Sequence, residues 1–230
     1  MKRIVVLLFV LLITLIITGC GNESDANKFK KEYEKLNGEK VEGTNHKYLS
    51  LSIPKDNNIV YKTDTEIVDI IKNGTGVIYF GFSNCPWCRS MINNLLDVTS
   101  DLGISQVYYV DVSSIRDTLE FYEDGSIVRS NGGTIAYNEL LDLLDEHLDY
   151  YVIYDKDNNP FETTEKRIYA PSVVVVKEGK VLGLTTGVSD DLENPFDEIS
   201  DNLKKESYDM LYNLIKEIKP VNACVDGGSC

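Results

Sequence analysis

Apolar positions along this chain switch repeatedly between alternation and helical spacing. Tyr48-Leu49-Ser50-Leu51-Ser52-Ile53 alternates up to Pro54 and predicts a first strand, which Ile59-Val60-Tyr61 extends. Ile67, Ile70 and Ile71 then fit a short helix capped by Thr63 or Thr65 and stopped by Asn73-Gly74. A continuous apolar run, Val77 to Phe82, predicts a buried strand, followed by a helix from Pro86 to about Leu102 that closes at Gly103 and a strand from Val107 to Val112. Ser172 to Lys177 and Lys180 to Leu184 flank Glu178-Gly179 and read as a hairpin. Phe196, Ile199, Leu203, Met210, Leu211, Leu214, Ile215 and Ile218 line one face of a final helix, with Asn194 as cap, Pro195 at its first position and Pro220 beyond its end. The order is strand, helix, strand, helix, strand, which is an α/β pattern.

Two stretches stand apart from this rhythm. Residues 20–46 are polar and charged, with a weak helical pattern at Phe29, Tyr33 and Leu36 that breaks at Asn37-Gly38; they predict a tether ahead of a domain spanning 47–220. Residues 113–150 predict an insertion. It has a helix around Leu119-Glu120-Phe121-Tyr122, a break at Gly132-Gly133, and a second helix from Ile135 to Leu148 with Leu140, Leu141, Leu144 and Leu148 on one face. Tyr150 to Tyr154 then pairs with Thr164 to Ile168 across the Asp157-Asn158-Asn159-Pro160 turn.

The amino terminus changes the picture by supplying a compartment. Lys2 and Arg3 precede sixteen uncharged residues, Ile4 to Gly19, the pattern of a secretory leader and short for a membrane span. It ends in Ile17-Thr18-Gly19-Cys20, which resembles the lipobox of bacterial lipoproteins, in which the cysteine is lipidated and becomes the first residue. An uncleaved anchor helix is the alternative. Either way the positive charges at Lys2 and Arg3 stay inside, so the rest of the chain faces out of the cytoplasm.

The chemistry is carried by Phe82-Ser83-Asn84-Cys85-Pro86-Trp87-Cys88, two thiols at the end of an apolar strand where a helix begins. Free N–H groups and the positive end of the helix dipole favour a thiolate at Cys85. Pro86 suits the first helical position, and Cys88 follows within one turn, close enough to resolve a mixed disulfide formed at Cys85. A structural disulfide and half of a zinc site are the competing readings of such a spacing. His46, His147, Cys224 and Cys230 do not supply the remaining zinc ligands at finger-like spacing, so no metal is expected. No cofactor is expected either. His147, beside Glu146, reads as a solvated helix residue.

Charge narrows the partners. With 37 Asp and Glu against 23 Lys and Arg, the net charge is −14, and loss of Lys2 and Arg3 with a leader makes the mature chain more acidic still. Such a surface excludes nucleic acid as an expected partner and suits solubility outside the cell.

A strand ending in Cys85-Pro86-Trp87-Cys88, a later Tyr169-Ala170-Pro171-Ser172 leading into a valine-rich hairpin, and a closing helix together resemble the thioredoxin superfamily. The lipobox, the phrase Phe80 to Arg89 and Ile168-Tyr169-Ala170-Pro171 are similar to the thioredoxin-like lipoproteins of Gram-positive bacteria grouped with bacteriocin transport accessory proteins. The resemblance covers roughly residues 48–219. It implies a thioredoxin-like fold with a central mixed sheet and a helical insertion, Cys85 as attacking and Cys88 as resolving cysteine, and Pro171 as a cis-proline facing them. A cis bond there turns the backbone of Ala170 outward, where it can pair with an extended substrate beside Pro86 and Trp87. Two departures are visible. Tyr79 stands where the family carries a buried acid for the second thiol, and 82 residues, Arg89 to Ala170, separate Cys88 from Pro171 where about 40 suffice.

The expected activity is thiol–disulfide exchange on protein thiols or disulfides, in either direction, with an unidentified redox partner for which a membrane protein is one candidate. The competing class is a non-enzymatic accessory or chaperone-like lipoprotein for peptide export. In the tail, residues 221–230, Cys224 and Cys230 are separated by five residues able to close a disulfide. A local bond, an electron relay to Cys85 and Cys88, and free or metal-bound thiols all remain open for that pair.

Overall fold

The computed structural model describes residues 23–122 and 124–220. The expected leader, the lipidation site Cys20 and the Cys224, Cys230 pair lie outside the described residues. Among those described, no helix is long and apolar enough to cross a membrane.

The chain folds as an α/β structure around a mixed five-stranded sheet. Its strands are β1 (Ile59–Tyr61), β2 (Gly76–Gly81), β3 (Val107–Asp111), β8 (Ser172–Lys177) and β9 (Lys180–Thr185), in the order β1-β3-β2-β8-β9. β3 runs parallel to β1 and β2, β8 is antiparallel to β2, and β9 is antiparallel to β8. β2, the middle strand, is buried at every position, which is why it reads as a continuous apolar run. Its side chains alternate between two cores. Val77 and Tyr79 join Val173 and Val175 on one face, under α1 (Asp25–Glu34), α3 (Pro86–Asp101) and α5 (Asp201–Ile215). Ile78 and Phe80 join Val174 and Val176 on the other, under α2 (Asp64–Asn73) and α4 (Ile135–Leu144).

Local signals set several boundaries. Thr63 and Glu66 form a reciprocal capping box at the start of α2, with Glu66 N–H donating to the Thr63 hydroxyl at 3.2 Å and Thr63 N–H donating to the Glu66 carboxylate at 2.8 Å. The β8–β9 turn places Glu178 and Gly179 at φ 51° and 75°, a primed turn that a right-twisted hairpin favours. A Cβ on Gly179 would run into the Lys72 carbonyl oxygen, so glycine is needed there for space as well as for φ.

The structure corrects four sequence expectations. Residues 20–46 are not simply a tether: α1 lies within them and inserts Phe29 and Tyr33, both 0% exposed, into the core beneath α3. Residues Tyr48 to Ile53 are extended and bury Leu51 and Ile53, but they form no strand. Tyr48 pairs with the backbone of Gly38 and Glu39, but beyond it the bonds go to side chains: Asn37 donates to and accepts from Leu51 at 2.8 and 2.9 Å, and the Ile53 N–H donates to Glu34 at 2.8 Å. The final helix starts at Asp201 with Ser200 as cap, because Asn194 spends its side chain on a local turn, accepting from the Phe196 N–H. Phe196 stacks on His46 at 4.6 Å instead of entering the core.

The fourth correction concerns residues 113–150, expected as a helical insertion. Thr118–Phe121 is a strand, β4, paired with β5 (Ile127–Asn131), because the alternation of Leu119 and Phe121 outweighs the helical spacing of Leu119 with Tyr122. β6 (Tyr150–Tyr154) and β7 (Pro160–Lys166) form a second hairpin in which Asp155 closes the turn by accepting from the N–H groups of Asp157 and Asn159. α4 lies between the hairpins in sequence and packs Tyr137, Leu140 and Leu144 onto the sheet. The first expected helix is thus a hairpin, while the second forms as α4. Leu119, Tyr151 and Ile153 make a small separate core. His147 sits in a 3-10 turn after α4, half-buried.

Candidate functional site

β2 ends at Gly81, and the loop Phe82 to Asn84 hands the chain to α3, whose N-cap is Cys85 itself. Cys85 has an extended backbone (φ −81°, ψ 116°), so its side chain points back over the first turn, where the Cys88 N–H donates to its Sγ at 3.2 Å. Pro86 takes the first helical position, and Trp87, 37% exposed, stands at the rim. Cys88 lies one turn deeper with no exposed surface. The two sulfurs are not bonded to each other in this structure.

The loop before β8 faces this turn. Its Ala170-Pro171 peptide is cis, and the Cys85 thiol donates to the Ala170 carbonyl at 3.4 Å. A groove of about 290 Å³ runs beside the pair, lined by Trp87, Ala170, Pro171, Thr186, Val188 and Leu192 among others. Cys85, Pro86, Trp87, Cys88, Ala170 and Pro171, separated by up to 86 positions, thus converge on one site. A larger cavity of about 730 Å³ lies between the hairpin tips, lined by residues such as Phe121, Lys156 and Phe161. Neither is lined by a thiol; the smaller groove is marked by Ala170 on its wall, whose carbonyl accepts from the Cys85 thiol.

The two thiols have opposite acidities. Cys85 is held below the ordinary cysteine range, first by hydrogen bonding with the Cys88 side chain, then by the N–H groups of Cys88 and Trp87 and by the Arg116 guanidinium, while burial opposes them. Cys88 is pushed well above that range by burial, and further by the neighbouring Cys85 sulfur. Only the Phe82 backbone and the Tyr79 phenol act the other way on Cys88. Cys85 is therefore the more acidic of the two thiols.

Three residues beneath or beside this turn were not expected as parts of it. Tyr33, on α1, shares a hydrogen bond with Tyr79 at 3.0 Å between their hydroxyls, and burial keeps both phenols neutral. Gly81 makes room for this, since a Cβ there would collide with the Tyr79 hydroxyl. Arg89, 1% exposed, has no carboxylate partner among the described residues and instead donates to the carbonyls of Tyr33, Leu49 and Ser83 and to Asn37. It ties α1 and the 48–53 segment to α3. Arg116 comes from the β3–β4 connection. The i, i+4 pair Phe29 and Tyr33 was the available signal for α1; Arg89 and Arg116 carry none in sequence.

Among the described residues, no three His, Cys, Asp or Glu side chains gather as a metal site. Comparison of the chain with protein-family models, with curated proteins and with solved structures gives no match.

Proposed function

We propose that this protein is a thiol–disulfide oxidoreductase with a thioredoxin-like fold, acting on protein substrates outside the cytoplasm and held at the membrane by a lipid on Cys20. The observation that carries the reading is the asymmetry of one helical turn: a hydrogen-bonded, acidic Cys85 at the mouth facing the cis Ala170-Pro171 loop, and a buried, protonated Cys88 below it. The Cys85 thiolate attacks one sulfur of a substrate disulfide; that S–S bond breaks, and the other substrate sulfur leaves as a thiolate that takes up a proton. Cys88 then gives up its proton and attacks the Cys85 sulfur, releasing the second substrate thiol. The substrate gains two electrons and the Cys85-Cys88 disulfide holds the oxidation, so a dithiol partner must reduce it for another cycle. The reverse sequence oxidises a substrate dithiol instead.

Equilibration with glutathione tests this reading. A Cys85-Cys88 potential between roughly −120 and −270 mV supports a catalyst, whereas one well below about −300 mV indicates a structural bond. That second outcome would favour the non-enzymatic accessory reading, for which the exposed aromatics of the hairpins, Tyr122, Tyr150, Tyr154 and Phe161, are the supporting observation.

A further inference from the structure

The Pro86-Trp87 pair brings no charge to the thiols, yet a cation stands beside them from a distant part of the chain. Two guanidinium groups, those of Arg129 and Arg167, engage one buried carboxylate, Asp117, and a third, that of Arg116, lies close enough to Arg167 to feel its charge. Arg129 takes one Asp117 oxygen and reaches Glu165 with its other nitrogen, and Arg167 takes the second Asp117 oxygen at 3.3 Å. The acid is fully engaged. Among the described residues the Arg116 side chain has neither an ion pair nor a hydrogen bond, and its guanidinium lies over the Phe82 ring, 5.2 Å from the centroid. Phe82 is the residue whose carbonyl accepts from the Cys85 N–H at 3.2 Å.

The placement of Arg116 is fixed by backbone. Its N–H donates to Val112 at 3.1 Å, Asn131 on β5 donates to its carbonyl at 3.2 Å, and the next contact along, Thr134 N–H to Ile115, is 2.9 Å. These bonds fix the backbone from which the side chain projects, and the Phe82 ring is what its guanidinium rests on.

We infer that Arg116 is an electrostatic positioning residue of the redox centre: the unneutralised guanidinium that the β4–β5 hairpin holds over Phe82 stabilises the Cys85 thiolate and makes the couple more oxidising. This rests on the redox reading above and assigns part of the extra chain a role in it. A half-buried cation is screened less than a surface one, so its field reaches the sulfur. The other titratable groups facing Cys85 are the Cys88 thiol and the Tyr79 phenol, both protonated at neutral pH; those facing Arg116 are Arg167 and the phenols of Tyr137 and Tyr151. Tyr137, pushed up to about 12, is neutral there as well. Among the described residues no carboxylate stands among the principal groups acting on either Cys85 or Arg116. Because the thiolate exists only in the reduced protein, stabilising it favours reduction of the Cys85-Cys88 disulfide.

Arg116→Gln and Arg116→Lys test the inference in the intact chain. In Arg116→Gln, Cys85 should alkylate about fivefold more slowly at pH 6, with its thiolate absorbance at 240 nm appearing at higher pH. Its equilibrium with glutathione should shift about fivefold toward the disulfide, which is about 20 mV for a two-electron couple. Arg116→Lys keeps the charge and should stay within about twofold of the parent. Arg116→Met, which keeps the aliphatic stem over Phe82, replaces the glutamine variant if that one does not fold. Unchanged Cys85 titration in a folded neutral variant overturns the inference, as does an equal loss in the lysine variant, which would assign the effect to shape. If the parent protein does not exchange with glutathione at all, the redox reading falls, while the thiolate titration still decides whether Arg116 acts on Cys85.

Discussion

The mouth and the floor of the cysteine turn are one helical turn apart and have opposite electrostatics. At the mouth, Cys85, 4% exposed, receives the Cys88 N–H and faces the Ala170 carbonyl, with a guanidinium near enough to act on it. At the floor, Cys88 is enclosed by the apolar core, with Tyr79 and, behind it, Tyr33 as the polar groups below. Two identical side chains are shifted in opposite directions because one caps the helix and the other lies inside it. The floor is also the part built from the distant N-terminal helix, so its chemistry depends on packing that the mouth does not need.

Exchanging or removing the two sulfurs breaks the comparison most sharply. Cys85→Ser should abolish glutathione exchange and substrate trapping, whereas Cys88→Ser should accumulate mixed disulfides at Cys85, detectable by non-reducing electrophoresis and mass analysis. In the reduced parent, Cys85 should alkylate at pH 6 at least about tenfold faster than Cys88, the ratio that a single pKa unit separates. Trapping by Cys85→Ser, or a faster Cys88, would reverse the assignment of mouth and floor.

The floor can next be opened from below. Phe29 packs on Tyr33 at 4.2 Å and on Tyr109 at 5.1 Å between ring centroids. Phe29→Ala should lower stability by about 3–5 kcal/mol in denaturant unfolding. It should also speed alkylation of Cys88 while leaving Cys85 near its parental rate. If both rates stay put in a destabilised protein, α1 supports the fold without shaping the floor.

A smaller effect is expected from Tyr79→Phe, which removes the phenol acting on Cys88 but keeps the ring. Loss of one hydrogen-bond donor, about 1 kcal/mol, should slow alkylation of Cys88 at pH 9 by about fivefold with Cys85 unchanged. An equal change at both cysteines would point to a general rearrangement instead.

The smallest signal is in the pH dependence of stability of the reduced protein. Cys88 has a raised pKa in the folded state, so above about pH 8.5 the unfolded chain releases a proton that the folded chain keeps, and stability falls as pH rises. Cys85, with a lowered pKa, does the opposite: its contribution is complete above about pH 8.5 and is lost as pH falls through its folded value. Thermal melting across pH 6 to 10 should show the alkaline decline, and Cys88→Ala should flatten it. A decline of unchanged slope in Cys88→Ala would assign it to other groups.

What could be read in sequence differs between the same two regions. Capping and local periodicity act over a few residues, so Pro86 to Gly103, the Thr63 cap and the Glu178-Gly179 turn lie close to where their residue types place them. Tyr48 to Ile53 shows the limit of that logic. Its alternation does mark buried Leu51 and Ile53, but a strand needs a partner, and the side chains of Asn37, Glu34 and Arg89 take that place. The hairpin at β4 failed for the related reason that Leu119, Phe121 and Tyr122 fit both periods until β5 is there to pair.

By itself, the sequence determined the α/β order of the central sheet, the position of both thiols at a helix start, and the expectation that Cys85 rather than Cys88 would be the reactive one, because helix-end electrostatics are local. The approach of the Ala170-Pro171 loop to Cys85 was expected only through the family resemblance; only the tertiary structure decided that α1 belongs to the core, that Tyr33 backs Tyr79, and that Arg116 has no polar partner among the described residues beside the site. Each of those joins residues distant in sequence, 34 positions for Phe82 and Arg116, 46 for Tyr33 and Tyr79 and 85 for Cys85 and Ala170, brought together when the two faces of the sheet are covered and the hairpins close. No short window of sequence holds that information.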